Sequence, residues 1–125
     1  MIYLDTSAAA KALIEEVETR RIRALFANGT SFVSSRLLAV ELHAAADRRT
    51  ISIDAAQQLL DRVALVPLDD DVLTEAISLR SGLRTLDSLH LATAVRLNDA
   101  VSGILTFDRE LAREAERRGV PTIQA

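Results

Sequence analysis

Four short apolar runs recur along the chain between longer stretches of helical character: Ile2-Tyr3-Leu4, Ser31-Phe32-Val33-Ser34, Val63-Ala64-Leu65-Val66 and Ser102-Gly103-Ile104-Leu105-Thr106-Phe107. They lack the polar alternation of a sheet with one wet face, so they read as strands covered on both sides. Strand and helix in turn imply parallel strands joined by crossover helices. The expected fold is a three-layer α/β/α sandwich on a short, mainly parallel central sheet. The 125 residues suit one domain, 1–125. Helices are expected from Ser7, as cap, to Ile14 and on to about Phe26, where Asn28-Gly29 stops them. Others run from Ser34 or Ser35 to about Arg49, from Asp54 to near Asp61, and from Asp69 to Arg80 with Gly82 beyond. The last two run from Asp87 to about Leu97 and from Asp108 to Arg118. Pro121-Thr122-Ile123 adds a possible final strand.

Composition removes several classes of function. With no cysteine, thiolate zinc sites, disulfides and cysteine nucleophiles are excluded. No apolar run is long enough to span a membrane, and the first residues carry no basic leader, so a cytoplasmic protein is expected. A net charge of −3 argues against a general nucleic-acid binder, without excluding a local site. Tyr3, Phe26, Phe32 and Phe107 are too few rings to read single strands by stacking alone.

In parallel α/β folds, ligands gather beyond the carboxyl ends of the strands. Asp5 ends the first run and Asp108 follows the fourth. Each also has a local explanation: Asp5 bonding the next turn, Asp108 capping the last helix. Glu41 falls within the apolar arc that Leu37, Leu38 and Leu42 draw on a helical wheel. A carboxylate there needs donors or a cation, and Arg48 on the same face is one candidate. Asp87 opens a helix that is apolar almost all round, hence buried, and also fits as its cap. As a set these acids point to a metal. Two carboxylates ~5 Å apart repel by ~3 kcal/mol at an effective dielectric near 20, and a shared cleft raises their pKa values unless a cation enters. All-oxygen ligands favour a hard ion, Mg²⁺ or Mn²⁺. Such an ion orients water and neutralises a phosphoryl group, which makes phosphoryl transfer or phosphodiester cleavage the expected chemistry.

Four segments carry a resemblance: Ile2-Tyr3-Leu4-Asp5-Thr6-Ser7-Ala8, Val40-Glu41-Leu42, Leu86-Asp87-Ser88-Leu89-His90-Leu91-Ala92-Thr93-Ala94 and Leu105-Thr106-Phe107-Asp108-Arg109-Glu110-Leu111. They resemble the motifs of PIN-domain ribonucleases, above all the VapC toxins of toxin–antitoxin pairs. The resemblance spans nearly the whole chain, and the third segment is the most specific. It implies an acidic tetrad at Asp5, Glu41, Asp87 and Asp108. Asp5, Asp87 and Asp108 are the metal ligands it implies, around Mg²⁺ or Mn²⁺, with a metal-activated water cutting RNA. Thr6 and Thr106 fall beside the site, where hydroxyls can support the metal's water shell or simply serve turn chemistry. The resemblance further implies a homodimer and a cognate VapB-like antitoxin.

Other polar groups read as structural. His90 shares a helix face with Asp87, but a hydrogen-bonded core histidine is the expectation. His43 points away from Glu41 into solvent. Asp69-Asp70-Asp71 fits a cap and first-turn charge. Glu110, Arg113, Glu114 and Arg117 are spaced for exposed ion pairs. A phospho-accepting receiver domain would need an acidic pair after the first strand and a late lysine, but Thr6-Ser7 follows Asp5 and Lys11 is the single lysine. A haloacid-type phosphatase would need an aspartate where Ser7 stands. A housekeeping RNA-processing nuclease and a non-catalytic interaction module stay open as alternatives.

Overall fold

The computed structural model describes residues 1–48 and 50–125. Its elements in chain order are β1 (Ile2–Leu4), α1 (Thr6–Leu13), α2 (Thr19–Ala27), β2 (Phe32–Ser35), α3 (Arg36–Asp47), α4 (Ile53–Leu60), β3 (Val63–Val66), α5 (Asp70–Leu79), α6 (Thr85–Leu97), β4 (Gly103–Leu105) and α7 (Arg109–Arg117). The strands form one parallel sheet in the order β3-β2-β1-β4. The expected α/β architecture is therefore present, with β1 in the interior. Successive crossovers carry the chain from β1 to β2 to β3. It then returns to the other side of β1 to lay down β4. The order reverses beside β1, so a crevice forms where β1 and β4 end.

Side-chain alternation divides the core in two. Leu4, Phe32, Val63 and Leu105 face one way and pack with Ala8, Ile22, Leu38 and Leu59 of α1 to α4. Tyr3, Val33 and Ile104 face the other way and pack with Leu91 and Ala94 of α6 and Leu111 and Ala115 of α7. α5 lies against α6. Residues His90 to Ala94 are all buried, so the middle of α6 is enclosed on every side, as its apolar character requires.

Several boundaries differ from expectation for local reasons. Asp5, not Ser7, caps α1: its carboxylate accepts from the Ser7 N–H. Ser52 rather than Asp54 caps α4, accepting from Ala55 N. α6 begins at Thr85, which puts Asp87 inside the first turn instead of at the cap. The end of α3 expected near Arg49 lies outside the described residues. Pro121-Thr122-Ile123 forms a single bridge, Thr122 with Ile104, and no full strand. The triple aspartate is the start of a helix, with Asp69 Oδ1 accepting from Val72 N at 3.0 Å. Glu114 is not an exposed partner but buried. It receives Arg117 at 2.9 Å and Arg118 at 3.2 Å, and Arg118 also donates to the Leu79 carbonyl, tying α7 to the end of α5.

Gly103 admits the chain's last segment against β4. A Cβ there would stand 2.5 Å from the Pro121 carbonyl oxygen and 2.6 Å from Ile123 Cδ1. Gly103→Ala should therefore cost about 1–3 kcal/mol of stability. Urea denaturation checks this; an unchanged midpoint would show that the segment moves aside freely.

Candidate functional site

The expected acids converge on the carboxyl edge of the sheet. Asp5 follows β1 directly and is only 3% exposed. A carboxylate so buried needs donors, and the local sequence supplies them. Its Oδ2 accepts from Ser7 Oγ at 2.7 Å, from Ser7 N at 3.3 Å and from Thr106 Oγ1 at 2.7 Å. Thr106 sits just past β4, beside β1, so this bond closes the gap between the two strand tips. Thr106 Oγ1 in turn accepts from Asp108 N at 3.1 Å, and Ser7 Oγ accepts from Phe107 N at 2.9 Å. Asp108 caps α7, its Oδ1 accepting from Glu110 N and Leu111 N at 2.9 and 3.0 Å. Its capping role and its place at the edge thus coexist.

Glu41 reaches the same edge from α3. It is half-buried, and it is held by His90 and Thr6 rather than by Arg48. Thr6 Oγ1 donates to Glu41 Oε1 at 2.7 Å, and His90 Nε2 lies 2.7 Å from the same oxygen. Burial acts to raise the Glu41 pKa, but hydrogen bonds from His90 and Thr6, with the charge of His90, outweigh it and leave the carboxyl below its ordinary value. Asp87 behaves in the opposite sense. Burial raises its pKa, and the negative charges of Asp108, Asp5 and Glu41 raise it further against the opposing influence of His90. Asp87 therefore lies close enough to feel the other three acids.

A common pattern runs through the cluster. Among the described residues, hydrogen bonds to Asp5 all reach Oδ2, those to Asp108 all reach Oδ1, and those to Glu41 all reach Oε1. Each carboxylate is oriented through one oxygen and keeps the other uncommitted. Thr6 and Thr106 each give their one hydroxyl proton to a carboxylate, so both act here by orienting acids. Among the described residues, no three acids or histidines are drawn together tightly enough to enclose an ion as they stand. The donor set nevertheless suits a hard cation: oxygen atoms only, several uncommitted, in mutual repulsion that a divalent charge relieves.

His90 is the residue that sequence reasoning placed in the core without seeing its reach. It is buried and hydrogen-bonded, as expected, yet it lies within the acidic cluster. Its Nε2 is 3.9 Å from Asp5 Oδ1, in addition to the Glu41 contact. The signal was its spacing from Asp87. Ser7 was missed as a support of Asp5, although its position two residues on is that of an Asx turn. His43, half-buried on α3, joins none of the cluster's hydrogen bonds. One concavity elsewhere, about 320 Å³, lies among α1, α2 and α4, where Ala12, Leu13, Phe26 and Leu59 line it. It is remote from this chemistry.

Comparison with known proteins agrees with the geometry. Residues 2–117 match the family model described as PIN domain. The chain belongs to the PIN-domain family, and within it to the VapC type. It is 33% identical to Ribonuclease VapC47 of Mycobacterium tuberculosis (strain CDC 1551 / Oshkosh), over 98% of this chain and 95% of that protein. It is 34% identical to Ribonuclease VapC46 of M. tuberculosis (strain ATCC 25618 / H37Rv), with the same coverage. Among solved structures it superposes on M. tuberculosis VapC20, a Sarcin-Ricin loop cleaving toxin, with a TM-score of 0.74 at 15% identity over 100% of both chains. It also superposes on VapBC2 from Rickettsia felis, bound to a DNA fragment from their promoter, with a TM-score of 0.67 at 17% identity over 98% of each chain.

The opposite shifts of Asp87 and Glu41 give a signed expectation for the metal-free protein. The raised Asp87 pKa makes its ionised form a penalty in the fold. That penalty is full above the folded pKa and gone below the unfolded one. The lowered Glu41 pKa makes its ionised form a gain, present above the unfolded pKa and lost as pH falls through the folded one. Asp87→Asn should raise Tm at neutral pH and Glu41→Gln should lower it, both differences shrinking as the solution is acidified through the carboxylate range. Thermal melts against pH check this, and shifts of the same sign in both variants would contradict the electrostatic picture.

Proposed function

We propose that the chain is a divalent-metal-dependent endoribonuclease, the toxin of a VapBC-type toxin–antitoxin pair, with residues 1–125 forming one nuclease domain. The observation that carries this reading is the set of three oriented acids, Asp5, Glu41 and Asp108, each with an oxygen to spare, joined at the crevice beside β1 by Asp87, whose pKa burial and their charges raise. The relatives named as ribonucleases supply the activity, and the Sarcin-Ricin loop cleaving toxin and the VapBC2 complex supply the toxin and the antitoxin partner. The reaction is hydrolysis of an RNA phosphodiester: water adds to phosphorus and a ribose oxygen leaves.

Asp5, Asp87 and Asp108 are the residues that would hold Mg²⁺, or Mn²⁺ in its place. When bound, the ion lowers the pKa of a water molecule and neutralises charge on the phosphoryl oxygens. The chain's own groups do the rest. Glu41, ionised at neutral pH, accepts a hydrogen bond from the attacking water and so directs it. Ser7, Thr6 and Thr106 keep the carboxylates turned toward the crevice. Asp87, uneasy as an anion among anions, gains most from a cation. A homodimer belongs to the same reading. It finds support in apolar side chains left in solvent: Leu73 and Ile77 one turn apart on α5, Val40 on α3 and Leu86 on α6. No helix among the described residues is long and apolar enough to cross a membrane.

Asp5→Asn and Asp87→Asn should each abolish RNA cleavage in a gel assay while leaving the circular dichroism spectrum native. Chelator should stop the wild-type reaction and added Mg²⁺ or Mn²⁺ restore it. Asp69→Asn, a change at a helix cap, should cost at most ~1 kcal/mol and leave cleavage near normal. Cleavage that persists in excess chelator would remove the metal from the mechanism. Expression of the chain alone should arrest growth, with relief from the co-expressed antitoxin. A soluble, active chain that allows normal growth would favour an RNA-processing role.

A further inference from the structure

The buried histidine is placed to do more than fill the core. Tyr3 Oη lies 2.7 Å from His90 Nδ1, and His90 Nε2 lies 2.7 Å from Glu41 Oε1. Both rings are inaccessible: Tyr3 is 0% and His90 1% exposed. The two meet edge to face, with centroids 5.8 Å apart. Tyr3 of β1 meets His90 of α6 in one half of the core. Glu41 belongs to α3, whose apolar face packs in the other. The connection therefore crosses the sheet's edge, and it ends on Glu41, which neither caps its helix nor follows a strand tip. An ionised carboxylate only accepts, so His90 Nε2 donates to Glu41. In a neutral ring, Nδ1 is then the acceptor for the Tyr3 hydroxyl. The phenol stays protonated, because burial, first among its influences, pushes its pKa far above neutrality. Thr6 Oγ1 stands 3.1 Å from the same Nε2 and shares Glu41 Oε1, so two donors fix one oxygen.

We propose that His90, braced by Tyr3, is a positioning residue for Glu41: it fixes the carboxylate through Oε1 and leaves Oε2 facing the reacting water. This rests on the nuclease reading for its kinetic consequence, but not for the contact itself. The role requires a donor at the Nε2 position and not an imidazole as such.

His90→Leu should lower kcat for RNA cleavage by about 10- to 100-fold with KM little changed, because orientation and not substrate binding is lost. His90→Gln, which carries a donor of similar reach, should recover most of the loss. Tyr3→Phe, which keeps the ring and removes only the hydroxyl, should fall between wild type and His90→Leu. It also keeps the test open if His90→Leu does not fold. A ¹⁵N-histidine spectrum gives a readout that a purely structural role would not move. The chain has two histidines, and His90→Gln identifies the relevant signals. Nε2 should be the protonated nitrogen in the wild type. Glu41→Gln should shift Nε2 and Tyr3→Phe should shift Nδ1. A folded His90→Leu with wild-type kcat, a loss that appears only in KM, or a proton on Nδ1 alone would overturn the proposal. A wild-type chain that cleaves no RNA with any divalent ion would defeat the nuclease reading alone, and the nitrogen shifts would still decide the contact.

Discussion

An aspartate enclosed at the tip of an interior strand is the constraint around which this molecule is arranged. Removed from water, the Asp5 carboxylate is tolerable only with strong donors. β1 provides the enclosure, flanked by β2 and β4 and covered on both faces. The donors come from two directions: Ser7 in the first turn of α1, and Thr106 from the tip of β4. The same contacts that make the charge tolerable also fix where α1 starts and where the chain leaves β4. That exit in turn places Asp108 at the head of α7. Strand pairing, helix capping and site geometry are thus one network, and loss of Asp5 affects all three.

A second connection spans the layers. Hydrophobic packing secures α3 to one face of the sheet and α6 to the other. The hydrogen bonds from His90 and Thr6 to Glu41 add direction, which dispersion forces lack. Their strength rises because the donors are screened from solvent and the acceptor is charged. The cluster repels itself, yet three of its four acids are bound through a single oxygen to rigid elements. The repulsion therefore does not splay them apart. At Asp87, the member with no hydrogen bond to its carboxylate among the described residues, burial first and this repulsion second raise the pKa.

The sheet was legible because its runs are short, apolar and separated by helical periodicity; Val63–Val66 was placed with both ends correct. Helix starts were less legible. A serine and an aspartate cap equally well, so Asp5 against Ser7 and Ser52 against Asp54 could be decided only by backbone geometry. The convergence of Asp5, Glu41, Asp87 and Asp108 was readable through strand-end logic and the resemblance of four segments. The partners that hold them were not. Helical spacing put His90 beside Asp87 but could not tell that its ring crosses to another helix. Glu41 was correctly seen to need a partner, and Arg48, on the same helical face, was the natural choice. The real donors come from residues 6 and 90, at distances along the chain that no local pattern encodes.

The arrangement also shows why fold stability and chemistry pull apart here. Asp5, Glu41 and Asp108 each have one oxygen that serves the fold and one that does not. The serving oxygens lower the cost of burial, while the others keep negative charges in one crevice. Removing the latter charges would relieve the fold, as the raised Asp87 pKa indicates. On the proposed reading, a cation that shares the crevice during function offsets their repulsion. A divalent cation is the partner whose charge matches several carboxylates at once, and the phosphodiester is the substrate whose oxygens such a cation can hold beside them. On the proposed metal-dependent reading, relief of the charge repulsion at Asp87 contributes to the affinity for the ion.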